Sequence, residues 1–296
     1  MSNSGLSTST TTNTKYIEAV REYEKGLSKP LRDGPMAERC MFFLRAYSHV
    51  SERHLSSEDR IVDFGCGSGS ATKWLIEHGY CADGVDILEY WGRDSHLLGE
   101  VGPELSGRVR ARLHIVDPLK NELPFPDSSI AFLFSDQTLE HVFDYRPVFA
   151  EQARVLKPGG VAIHRFPHGL TIVEPHTNVP LAPLTKIPLY LAMWALLGRR
   201  NERQVGLSWR DTFDSNRRLL GTTNYVSPRV IIQATTGLGL DAWFEDLLCI
   251  SQGRAGRLYR SAVSAGVGGI AKIILSHSQD NRLLVLAKPF DSCALK

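Results

Sequence analysis

The sequence predicts an α/β fold in which a mostly parallel sheet carries helices on both faces. Two features support this. Apolar runs at 61–64, 80–85, 110–116, 130–134 and 161–166 alternate with polar or helix-patterned connections, as consecutive β–α–β units require. The first run ends in Gly65-Cys66-Gly67-Ser68-Gly69, and a glycine at every second residue ends a buried strand at a tight turn into a helix.

That helix is expected over 71–78, with Ser68 or Ser70 placed to cap it. Gly65, Gly67 and Gly69 tolerate positive φ and let a ligand lie on the backbone. The N-terminus of the helix then offers unpaired N–H groups to a polar ligand. Nucleotide binders of many kinds use such a turn, so the glycines alone do not choose among them. The spacing does not fit G-x-G-x-x-G, and no Gly-Lys-Ser/Thr follows.

Residues 62–69, Val-Asp-Phe-Gly-Cys-Gly-Ser-Gly, resemble the V-L-D-x-G-C-G-x-G turn of class I S-adenosylmethionine-dependent methyltransferases. The resemblance implies a Rossmann-like sheet of seven strands, with S-adenosyl-L-methionine held by Asp63, Gly65, Cys66, Gly67 and Gly69. Runs at 238–248 and 283–288 supply the last two strands, the antiparallel edge of this fold.

Downstream residues extend the likeness. The second strand ends at Asp86, about 20 residues after the glycine turn, a spacing that suits a nucleoside pocket. A carboxylate there accepts both hydroxyls of a ribose. Asp83 competes for that role but falls inside the strand. Asp117-Pro118-Leu119, after the third strand, resembles the family's adenine-binding segment, with Ile87 and Leu119 on either side of the ring. Leu123-Pro124-Phe125-Pro126-Asp127-Ser128-Ser129-Ile130-Ala131 is similar to the family's L-P-F-P-D-x-S-F-D, with Ala131 where Asp is usual. The wholly apolar fourth strand belongs at the centre of the sheet. It runs into Ser135-Asp136-Gln137-Thr138, and the resemblance places Ser135 and Gln137 at the cofactor. Arg154-Val155-Leu156-Lys157-Pro158-Gly159-Gly160 matches the family's helix end and turn.

Composition agrees with an enzyme core and excludes some alternatives. Hydrophobic and charged contents of 43% and 22% are ordinary for a globular chain, and 296 residues suit one large domain or one with an insertion. A net charge of +2 excludes a chain that coats nucleic acid, and no basic stripe interleaved with aromatics points to a nucleic-acid partner. The five cysteines lack CxxC spacing, so neither zinc nor a disulfide framework is expected and a reducing, cytoplasmic setting is. Residues 1–14 carry no charged or apolar leader pattern and read as a disordered tail. The expected organisation is N-terminal helices within 15–59 (at 15–27 and 36–50), a cofactor-binding core over 60–166, a lid insertion over 167–227, and a C-terminal helix, opened by Ser227-Pro228, with the final strands over 228–296.

Methyl transfer from a sulfonium asks the protein for alignment, a dry site and, for a hydroxyl, proton removal. His141 is a candidate base, because histidine titrates near neutrality. His168 and His176 open the insertion and are the others. No Asn/Asp-Pro-Pro-Tyr/Phe follows the fourth strand, which favours O-methylation of a small molecule or a glycan or lipid precursor. Carbon or nitrogen methylation, or a non-catalytic binding module, are the alternatives. Gln137-x-x-Glu140-His141 also resembles the E-x-x-E-H of metal-assisted methyltransferases, with Glu140 and His141 as ligands of a divalent ion, although Gln137 replaces one carboxylate by an amide. No metal is therefore expected.

The insertion adds a clue about the acceptor. The uncharged apolar stretch 187–198 precedes Arg199-Arg200. It is too short to span a bilayer and reads either as a packed lid helix or as peripheral membrane contact through 187–200. From 199 to 229 there are seven arginines and three acids, a local net of +4 (7 − 3). An anionic or amphiphilic acceptor fits that excess.

Overall fold

The computed structural model describes residues 34–87, 103–117, 120–167, 173, 177–182, 187–201, 204–221, 223–245, 254–268 and 281–290. The helix expected at 15–27, together with Pro118, Leu119, His168 and His176, lies outside them.

In chain order the elements are α1 (Gly34–Ser51), β1 (Arg60–Phe64), α2 (Ser70–Glu77), β2 (Cys81–Asp86), α3 (Pro103–Arg110), β3 (Leu113–Ile115), β4 (Ile130–Asp136), a 3-10 turn (Leu139–His141), α4 (Tyr145–Val155), β5 (Leu156–Pro167), α5 (Pro188–Leu196), α6 (Trp209–Gly221), α7 (Pro228–Thr235), β6 (Asp241–Glu245), α8 (Arg254–Ser264) and β7 (Asn281–Ala287). One seven-stranded sheet runs β3-β2-β1-β4-β5-β7-β6. The first five strands are parallel, and β7 is antiparallel to both β5 and β6.

The central strands are mostly apolar because both faces of the sheet are covered. Register puts Ile61 beside Phe132 and Val62 beside Leu133, while Leu133 and Phe134 pair with Ala162 and Ile163. Side chains alternate along a strand, so Ile61, Phe132, Phe134 and Ile163 join Phe43 and Tyr47 of α1 and Trp74 and Leu75 of α2 in one core layer. Val62, Leu133 and Ala162 join Phe149 of α4 and Ile231 of α7 in the other. Burying each such side chain contributes roughly 1.5–3 kcal/mol.

Three local expectations change. The third strand does not begin at Arg110. Val109 is buried by helix α3, Arg112 N–H donates to Val109 O at 2.9 Å to close a turn, and only Leu113–Ile115 pair with β2. The Arg108-x-Arg110-x-Arg112 alternation satisfies a strand period locally, but of the stretch 110–116 only Leu113–Ile115 stand in register with β2. No serine caps α2: Gly69 occupies the cap position with φ 78°, and the Ser68 and Ser70 hydroxyls bond each other at 2.8 Å. The turn expected over 154–160 is an irregularity within β5, where Leu156 pairs with Ile130 and Val161 already with Phe132. Its Gly159 N–H donates to Lys288 O at 2.8 Å, which ties the bulge to the end of β7.

Between β5 and α7, the helices α5 and α6 share a small core of Val179, Ala182, Leu191 and Leu220 with Tyr190, Trp194 and Phe213 against it. Ser227 and Pro228 stand at the cap and first turn of α7 as expected. Among the described residues no helix is long and apolar enough to cross a membrane.

Candidate active site

The strand order reverses between β1 and β4, and in open α/β sheets a crevice forms there beyond the carboxyl ends of the strands. The glycine turn forms one wall. Gly65 and Cys66 donate their N–H groups to Val85 O at 2.8 and 3.0 Å, which holds the turn against β2. Gly65, Gly67 and Gly69 have φ of 81°, 55° and 78°, values that L side chains avoid. The three glycines face different surroundings. A Cβ on Gly65 would lie 2.9 Å or less from the Thr138 side chain, and one on Gly69 2.8 Å from Leu113 Cδ1. A Cβ on Gly67 would meet nothing within 4 Å. Gly67 is the open place on the turn.

The second wall is Asp86 at the end of β2. Its Oδ2 accepts the Gly67 N–H at 2.8 Å and its Oδ1 the N–H of Ile87 at 2.7 Å. Each oxygen keeps further lone pairs for another donor. Asp83, its competitor, is buried in the sheet and engaged by His114 (3.0 Å), Arg112 (3.2 Å) and Arg60 (3.6 Å). Ile87 is 50% exposed, Ile115 on neighbouring β3 is 58% exposed, and Asp117 is exposed just beyond it.

Asp63 sits below the turn, fully buried, and neither of its carboxylate oxygens has a hydrogen-bond partner. Its pKa is raised to about 6, by burial first, with Arg39 pulling it down and Asp136 and Asp86 pushing it up. Arg39, from α1, lies 3.7 Å from Asp63 Oδ1 and 3.1 Å from Asp136 Oδ2. Arg165 of β5 grips Asp136 with two hydrogen bonds of 2.7 and 2.6 Å and lies over the rings of Phe42 and Phe43 at 4.7 and 5.4 Å. Helix α1 is therefore pinned by charge to the carboxyl ends of β1, β4 and β5. Sequence reasoning missed Arg39 and Arg165. The available signal was an arginine next to an apolar stretch of the first helix and another within an apolar strand. Cys66 is also buried, and burial with the Asp63 and Asp86 charges pushes its thiol up, so it lines the turn as an inert group.

Beyond β4 the predicted residues separate. Ser135 is fully buried, its Oγ 2.8 Å from His164 Nδ1, and His164 Nε2 lies 3.0 Å from Gln152 Oε1. A neutral imidazole satisfies both contacts, accepting from the serine and donating to the amide, and burial drives the His164 pKa down to about 3. Gln137 adopts φ 57°, with its N–H on Arg165 O at 2.8 Å. On the 3-10 turn Glu140 is buried and His141 exposed. Asn224, at the end of the insertion, donates its N–H to Glu140 O at 2.5 Å and its side-chain amide to Val142 O at 2.9 Å, so the insertion is fastened to this turn. Buried Tyr145 donates to Leu139 O at 3.1 Å, and burial with the Glu140 charge pushes its pKa up to about 12.

An open glycine, a carboxylate at the adjoining strand end and a buried carboxylate that accepts no hydrogen bond among the described residues fit a nucleoside bearing a cationic amino-acid tail. Comparison with known proteins agrees. Residues 62–164 match the sequence profile of a family described as a methyltransferase domain. Fold and match together give residues 62–164 the core of a class I S-adenosylmethionine-dependent methyltransferase. The chain is 28% identical over 147 residues to a probable S-adenosylmethionine-dependent methyltransferase of Mycolicibacterium smegmatis, covering 48% of this chain and 51% of that protein. It is 31% identical over 113 residues to a ubiquinone biosynthesis O-methyltransferase of Xylella fastidiosa strain M23, covering 38% of this chain and 43% of that one. The chain thus spans about half the length, or less, of these relatives. Among solved structures, geranyl diphosphate C-methyltransferase from Streptomyces coelicolor A3(2) aligns with a TM-score of 0.45 at 16% identity, covering 94% of this chain and 84% of that one.

Proposed function

We propose that this protein transfers a methyl group from S-adenosyl-L-methionine to an oxygen of a small molecule, or of a glycan or lipid precursor. The observation that carries the reading is the Gly67–Asp86 hydrogen bond, together with the buried Asp63 carboxylate, whose oxygens accept no hydrogen bond among the described residues. Asp86 would take the ribose hydroxyls and Asp63 the amino group of the amino-acid tail. Asp117 and Pro118 would meet the adenine, with Ile87 on one face of the ring. Gly65, Cys66 and Gly69 would shape the turn around the cofactor, and Gln137, which follows β4, would also contact it. The bound cofactor supplies an electrophilic methyl group on a sulfonium.

The protein's remaining work is to exclude water, align the acceptor and remove its hydroxyl proton. Exposed His141, next to the crevice, is our candidate for proton removal, with His168 and His176 as the other two. Oxygen as the methylated atom is supported by Ser135-Asp136-Gln137-Thr138 at the end of β4, where enzymes that methylate amino groups in nucleic acids and proteins typically carry Asn/Asp-Pro-Pro-Tyr/Phe. It is also supported by the Xylella relative, a ubiquinone biosynthesis O-methyltransferase.

The test is calorimetric titration with S-adenosylmethionine and S-adenosylhomocysteine, with and without EDTA. Micromolar binding of both ligands, unchanged by EDTA, is the expected result. Absence of binding to either would refute the reading. With an acceptor in hand, His141→Ala should cut turnover and leave the calorimetric affinities as they were.

A further inference from the structure

Helix α5 is apolar around its whole circumference, and no charged residue occurs between 187 and 198. A helix of that kind is ordinarily buried on every side. Here one side is covered: Leu191 and Ala195 are buried, Leu191 beside Leu220 of α6 in the small core of the insertion. The other side is bare. Leu189, Met193, Leu196 and Leu197 are exposed at 80%, 42%, 61% and 68%. Their spacing of four, three and one places them on one stripe of the helix. Ile187 precedes the stripe and is also exposed, and exposed Trp209 opens α6.

Cations flank the stripe. Arg199 and Arg200 follow the helix directly, and Arg210 lies over the Trp209 ring at 5.1 Å. No acidic residue occurs from 187 to 201, and from 199 to 229 the net charge is +4 (seven arginines, three acids). At nine residues, α5 is far shorter than the roughly 20 that cross a bilayer.

We propose that the outer stripe of α5, with Trp209 and the flanking arginines, docks on an anionic lipid surface. The leucines and Met193 would enter the boundary between headgroups and acyl chains. Trp209 would sit at headgroup depth, and Arg199, Arg200 and Arg210 would meet the lipid phosphates. A neutral protein partner would use the apolar stripe but not the cations, and a second copy of this chain would bring the same positive charge to the contact. The inference does not depend on the methyl-transfer chemistry.

Sedimentation of the full chain with vesicles tests it, comparing phosphatidylcholine alone with phosphatidylcholine–phosphatidylglycerol mixtures. The wild type should pellet with the anionic vesicles, less so as salt is raised, and should stay in solution with the neutral ones. Leu189→Asn and Leu196→Asn should each lower the partition coefficient by about tenfold. Arg199→Gln with Arg210→Gln should lower it by a similar factor by removing two charges. Both sets should keep the wild-type melting temperature. Equal pelleting with neutral vesicles, no pelleting at all, or variants that bind as the wild type does would overturn the proposal. So would a marked fall in melting temperature in the leucine variants, which would place the stripe under another segment of this chain. A dimer in analytical ultracentrifugation that the leucine substitutions dissolve would assign the stripe to a second copy and overturn it as well.

Discussion

The Asp86 carboxylate accepts the Gly67 N–H at 2.8 Å, across 19 residues of chain. The bond joins the end of β2 to the glycine turn after β1, and it aims one carboxylate past the only glycine of the turn whose Cβ position is open. Asp86→Ala removes both the clamp on the turn and the proposed ribose acceptor. Calorimetry should show affinity for S-adenosylmethionine reduced about tenfold or more, the loss of charge-assisted hydrogen bonds. An unchanged affinity would mean that the ribose is held elsewhere.

Gly65 and Gly67 should respond differently to alanine. At Gly65 the φ of 81° and the overlap with Thr138 both oppose a Cβ, so Gly65→Ala should lose about 2 kcal/mol or more of stability. At Gly67 only the φ of 55° opposes it, a penalty of about 1 kcal/mol. Yet that Cβ would project where we place the cofactor. Thermal melts and calorimetry on the two variants should therefore rank them oppositely, Gly65→Ala worse in melting temperature and Gly67→Ala worse in affinity relative to its stability loss. Matching losses in both would separate Gly67 from the binding surface.

Removing Arg39 should expose the cost of the buried Asp63 charge. Breaking a fully buried pair costs about 3–5 kcal/mol. Arg39 is partly exposed and 3.7 Å away, which reduces the expectation for Arg39→Met to about 1–3 kcal/mol. The pH dependence has a defined sign. Asp63 carries a folded pKa raised from 3.8 to about 6, so its stability contribution falls as pH rises through that window. Without Arg39 the pKa rises further and the window extends upward. Urea unfolding should show a larger deficit for Arg39→Met near pH 8 than near pH 5. An equal deficit at both would show that Asp63 does not rely on this cation.

His164 should make the protein sensitive to acid. Its folded pKa is lowered from 6.5 to about 3, so between those values the unfolded chain binds a proton that the native chain refuses. Stability should fall as pH drops through this window, by at most about 1.4 kcal/mol per pH unit from this group. Asp63 acts in the opposite direction over part of the range, so the informative quantity is the difference between wild type and His164→Gln. In melts across the window the variant should lose less stability with acid than the wild type. Parallel curves would mean that the imidazole is not held neutral between Ser135 and Gln152.

Much of this architecture is readable from local pattern. The apolar runs locate the strands because a sheet covered on both faces needs continuous apolar segments, and the glycines announce a backbone that only they adopt easily. Asp86 is favoured over Asp83 on position along a strand, and in the structure Asp83 is engaged by Arg112, His114 and Arg60. Local pattern misleads where two periods coincide. Residues 108–112 alternate well enough for a strand, yet lie in a helix end and turn, and only Leu113–Ile115 stand in register with β2.

By itself the sequence determined the α/β class, the place of the glycine turn and the central position of β4, because those follow from periodicity and from the steric freedom of glycine. Only the tertiary structure decided that Arg39 reaches Asp63 and Asp136, that Ser135 turns inward to His164, that Glu140 is buried beside exposed His141, and that α5 keeps one apolar stripe uncovered. Each is a matter of which distant groups meet and what water they exclude. Charge pairing and burial act through space, and spacing along the chain carries no record of them until the sheet has assembled.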